Sequence, residues 1–108
     1  MEKNLNKVKT LNLSCNIITN LEGLKKLEII NLEKLVLSNN RIDDISGLQY
    51  SNFPNLKKLW LNNNNISNIS PLEKAKCNQL EILILSENKI REIKSLEFFK
   101  FKNIKFRK

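Results

Sequence analysis

The chain has no histidine, only two glycines, two prolines and two cysteines, and a single tryptophan, tyrosine and methionine. Without histidine it lacks the commonest general base and metal ligand. It has no glycine-rich phosphate loop and no Gly-x-Ser-x-Gly nucleophile turn. The carboxylates form no acid–base pair: Asp43 and Asp44 adjoin in a connector, where with Ser46 they suit a solvated turn, and Glu81 and Glu87 flank a strand without a partner. Neither an enzyme nor a metal site nor a cofactor is expected. Cys15 and Cys77 fall at unlike positions with no Cys-x-x-Cys motif, so both are read as free, mostly packed thiols.

No apolar run reaches the length of a membrane span. The stretch Met1 to Lys7 is polar and has no apolar core of a secretory signal, so an intracellular location, cytoplasmic or nuclear, is expected. Three triplets match the N-glycosylation pattern (at Asn12, Asn65 and Asn68), but in so Asn-rich a chain they arise by chance. Scarce Gly and Pro argue against linkers, and 108 residues are read as a single domain, 1–108.

What the chain does have is a phrase repeated four times at intervals of 24 residues. It reads Val8-x-x-Leu11-x-Leu13-x-x-Asn16-x-Ile18 and returns from Leu32, Leu56 and Leu80, so repeats start near 8, 32, 56 and 80. The alternating leucines, such as Leu59 and Leu61, describe a short strand with one face inward. Asn16, Asn40, Asn64 and Asn88 form a column where the chain leaves each strand; a buried amide there can both donate to and accept from backbone groups outside the sheet ladder. Apolar residues then recur at every third position (Ile42, Ile45, Leu48; Ile66, Ile69, Leu72), which suits a 3-10 or short helical return. Gly23, Gly47, Pro71 and Ser95 precede the last of each trio and are compatible with a turn. Tyr50, Phe53 and Pro54 lie in the following connector and are read as packing.

This pattern resembles the leucine-rich repeat, and in particular the class known from the protein phosphatase 1 regulatory subunit, the bacterial internalins, the axonemal dynein light chain and the spliceosomal snRNP A-prime protein. The resemblance covers residues 5 to 106 and implies an α/β solenoid, with a parallel β-sheet on the concave face and 3-10 or short helical returns on the convex face. The interval here is 24 where that class has about 22, and the extra residues belong to connectors such as Ser51-Asn52-Phe53-Pro54 and Lys74-Ala75-Lys76-Cys77. The resemblance also implies a binding module, since solenoids present a curved sheet to partners.

The residues that differ between copies point to where. Between the inward leucines runs the row Asn12, Val36, Trp60, Ile84, and then Lys105 if a fifth strand forms. Val36, Trp60 and Ile84 are expected to face solvent on the concave sheet. Trp60 would be ringed by Val36, Ile84 and Ile82, with Lys34, Lys58 and Asn62 as a polar rim: an apolar anchor of the kind found in protein-binding hot spots. Trp60→Ala is expected to weaken binding and leave the fold intact.

The alternative reading rests on the end of the chain. Net charge is +8, and residues 89–108 carry eight basic side chains against Glu92 and Glu97. Phe101-x-x-Ile104-x-Phe106 restarts the phrase, so a partial fifth strand is expected near 101–106. Lys102, Lys105, Arg107 and Lys108 could contact RNA, an acidic protein or an anionic membrane surface, making the chain a ribonucleoprotein component. They could equally be a solvated edge that blunts an exposed strand. With no capping element legible at either end, a piece of a longer array is a further expectation, as is docking of the Phe-rich end.

Overall fold

The computed structural model describes residues 5–91. Four three-residue strands, β1 (Thr10–Asn12), β2 (Lys34–Val36), β3 (Lys58–Trp60) and β4 (Ile82–Ile84), form one parallel sheet in chain order. The register is the sequence repeat itself: Leu11 pairs with Leu35, Leu35 with Leu59 and Leu59 with Leu83. A slip of one residue would set core leucines opposite solvent-facing residues.

Each return runs through a 3-10 helix: η1 (Glu22–Lys26), η2 (Ser46–Tyr50) and η3 (Ser70–Glu73). Their backbones are preset two residues upstream of the first bonded amide. The side-chain oxygens of Asn20, Asp44 and Asn68 accept from the amides of Glu22, Ser46 and Ser70 at 3.1, 2.9 and 3.0 Å. Asp44 thus does help form a turn with Ser46, and the two hydrogen bonds from the Ser46 backbone and side chain hold its carboxyl below the usual range.

Between sheet and returns lies the core. Leu32, Leu35, Leu37, Leu59 and Leu61 are completely buried, and the trios Ile42, Ile45, Leu48 and Ile66, Ile69, Leu72 close it from the convex side. Full burial of each such side chain contributes about 1.5–3 kcal/mol, so the sum over repeats stabilises strands too short to persist alone. A further buried column, Ile29, Phe53 and Cys77, fills the connectors at the same 24-residue interval. It accommodates the added length of each repeat by turning part of it inward. Phe53 therefore packs as expected, but Tyr50 at the end of η2 is 66% exposed and does not.

The glycines are explained differently from the turn expected of them. Neither has positive φ. A Cβ on Gly47 would lie 2.2 Å from the carbonyl oxygen of Leu21, so the close approach of η2 to the preceding repeat demands glycine; a Cβ on Gly23 would meet nothing. Positive φ instead falls on Cys15, Asn39, Asn63 and Glu87, at 56–59°, one residue before each column Asn. There every repeat turns out of its strand.

The cysteines are both free, but only Cys77 is packed, and burial pushes its thiol up to about 11. Cys15 is exposed, because the left-handed turn carries its side chain outside the stack. The expected fifth strand at 101–106 lies outside the described residues. Among the described residues no helix is long and apolar enough to cross a membrane.

Candidate functional site

Alternation along three-residue strands sends one residue of each inward and two to the concave surface. The inward set is Leu11, Leu35, Leu59 and Leu83. The surface rows are Thr10, Lys34, Lys58, Ile82 and Asn12, Val36, Trp60, Ile84, in register across the sheet.

The structure brings the expected residues together but changes their exposure. Val36, expected in solvent, is only 7% exposed. Trp60, Ile82 and Ile84 are half-buried, as are Lys34 and Asn62, and Lys58 is exposed. Lys34 Nζ, from β2, sits 4.2 Å from the centroid of the Trp60 ring, and Val36 is the in-register neighbour of Trp60 on β2.

Two details mark this spot. The indole N–H of Trp60 is buried without a hydrogen-bond partner, an arrangement that costs about 1–3 kcal/mol. Beside it Ser38 Oγ donates to Asn62 Oδ1 at 2.6 Å, so the polar row below the ring is self-satisfied. Next to the strands' N-terminal ends runs a column of alternating charge, Lys9, Glu33, Lys57 and Glu81. Glu33 lies 3.7 Å from Lys9 and 4.0 Å from Lys57. Glu81 belongs to this column and not to a catalytic pair; Glu87 occupies a left-handed turn.

The asparagine column is structural, as expected. Asn64 Oδ1 accepts from the amide of Ile42 at 3.0 Å, and Nδ2 donates to the carbonyls of Leu37, Leu61 and Asn62. Asn40 and Asn88 bridge to the preceding repeat in the same way. Asn40 and Asn64 are buried and Asn88 half-buried, but Asn16 is exposed and its side chain donates only within its own repeat. Its repeat stands at the edge of the described sheet, so no neighbour covers it. Lys102, Lys105, Arg107 and Lys108 lie outside the described residues.

Sequence reasoning missed the stacking of Lys34 on Trp60 and the left-handed turn column. For the second a trace existed, since two of its four members are Asn, which tolerates that conformation. For the first there was none, because it depends on a rotamer.

Comparison with known proteins agrees with this geometry. Residues 30–74 match the family model "Leucine Rich repeats (2 copies)" and residues 7–27 the model "Leucine Rich Repeat", together more than half of the chain. The chain belongs to the leucine-rich-repeat proteins. Its repeats are of the internalin class. An internalin C2 of Listeria monocytogenes superposes over 94% of this chain with a TM-score of 0.73 and 27% identity. The internalin InlF of the same organism covers 96% with a TM-score of 0.63 and 25% identity. This chain spans 43% of the first and 36% of the second. No curated protein matches by sequence.

Proposed function

We propose that the concave sheet is the surface on which this module binds a protein partner. Trp60 is the anchor, Ile82 and Ile84 extend the apolar patch, Val36 stands beside it on β2, and Lys34, Lys58 and Asn62 form the rim. The observation that carries this reading is the half-buried Trp60 with two half-buried isoleucines beside it, on a sheet whose opposite face packs on the core. The opposite face of each strand already has its partner in the returns, so only the concave rows remain open. Trp at the centre of a patch rimmed by polar groups is the composition of an interface hot spot.

The test is capture from native extract by the wild-type chain, by Trp60→Ala, and by Tyr50→Ala on the convex side. Partners are lost with the first variant, by about 2 kcal/mol or roughly 30-fold in affinity, and kept with the second. A thermal transition for each variant separates loss of binding from loss of fold. A folded Trp60→Ala chain that retains the same partners at the same affinity overturns the reading.

A further inference from the structure

Lys34 and Lys58 are direct neighbours across β2 and β3. Both project on the concave side, in the row beside Trp60. Like charges opposite one another on adjacent strands repel, and the sheet elsewhere manages its charges by alternation. In the column one residue earlier, Glu33 stands between Lys9 and Lys57 and pairs with both. Lys34 and Lys58 have no such carboxylate: among the described residues neither forms an ion pair, and the ammonium of Lys34 lies on the face of Trp60. In the same row the next residue is Ile82, which supplies no charge. Two ammonium groups without an ion pair thus border an apolar patch, beside a column whose charges alternate.

We infer that the partner presents an acidic peptide segment, with a carboxylate from Asp or Glu seated between Lys34 and Lys58 and an adjoining apolar side chain on Trp60, Ile82 and Ile84. This rests on the concave face being the binding surface. A carboxylate there relieves the repulsion between the two lysines and, by partly neutralising Lys34, completes on the partner the alternation the neighbouring column completes by itself. Partial burial of Lys34 against the ring lowers local screening, which strengthens a charge pair relative to one on the open surface. The geometry disfavours a nucleic acid on the same spot. Stacking a base requires a free aromatic face, and a face of the Trp60 ring already carries the ammonium of Lys34.

The experiment uses a displayed random peptide library panned on the full chain, followed by fluorescence anisotropy on the enriched peptides. Enrichment of Asp and Glu next to aromatic or aliphatic residues is expected. Binding of those peptides should weaken about tenfold in the Lys34→Gln/Lys58→Gln chain, and several-fold between about 0.05 and 0.5 M salt as screening grows. In the Lys34→Glu/Lys58→Glu chain the enriched set should become basic. Neutral apolar peptides, lost with Trp60→Ala but indifferent to the lysines, would overturn the acidic partner and leave the concave surface standing. Acidic peptides indifferent to both Trp60 and the lysines would sink both. A library that yields no binder, or an oligo(U) probe that binds where peptides do not, also overturns the proposal.

Discussion

At the scale of single residues, two columns with the same period do opposite things to stability. The Asn column relieves unsatisfied backbone groups; the left-handed column before it imposes strain. Asn64→Ala leaves the Ile42 amide and the Leu37 carbonyl without their side-chain partner inside the stack, and is expected to lower unfolding free energy by about 3 kcal/mol in urea titration. Asn16→Ala, at an exposed position whose side-chain amide bonds only its own repeat, should lower it by less than about 1 kcal/mol. Equal losses would mean the column acts locally and not as a bridge. In the left-handed column, Glu87 has a Cβ penalty that Asn39 and Asn63 relieve in part. Glu87→Asn should therefore stabilise by about 0.5–1 kcal/mol, seen as a higher melting temperature; no rise would show that the turn is unstrained.

At the scale of elements, the 3-10 returns are as informative as the strands. The spacing by three was legible because residues three apart eclipse in a 3-10 helix, and the returns lie where that spacing places them. The reason for Gly47 was not legible, because it lies in another repeat: the Leu21 carbonyl that a Cβ would strike is 26 positions earlier in the chain. Gly47→Ala is expected to destabilise by about 2 kcal/mol or more, as overpacking against backbone leaves nothing flexible to yield. Gly23→Ala has open space and should be neutral or gain about 0.5 kcal/mol. Paired thermal melts of the two variants check this, and matching shifts would refute the distinction. The buried Ile29–Phe53–Cys77 column belongs to the same lesson. Its interval was in the sequence, but its varied residue types disguised it as connector.

At the scale of the whole molecule, each repeat contacts its neighbours along a line, so stability is shared by stacking and is lowest where a neighbour is missing. The strand leucines Leu35, Leu37, Leu59 and Leu61 are fully buried, whereas Leu11 and Leu13 of the first repeat are only partly so. Native-state hydrogen exchange should accordingly show amides of β2 and β3 exchanging only through global unfolding, and those of β1 through a lower-energy opening. Uniform protection across all strands would contradict a line of nearest-neighbour couplings. The same stacking is what makes a binding surface: it sets identical backbone positions side by side, so that differences between copies become neighbours in space.

The primary sequence determined the repeat, its register, the inward leucines, the bridging asparagines and the form of the returns. These follow from spacing, and spacing in a repeat maps onto space almost without freedom, because each copy must match the next to bury its apolar side. It also named the residues of the concave patch, since strand alternation gives their side. Only the tertiary structure decided how those residues share the surface. Lys34 lies on the face of Trp60 and Val36 is only 7% exposed, so an expected row of three exposed apolar groups becomes a ring capped by a lysine, with isoleucines beyond it. A side-chain rotamer is chosen by the neighbours it meets, and those neighbours are supplied by copies 24 residues away.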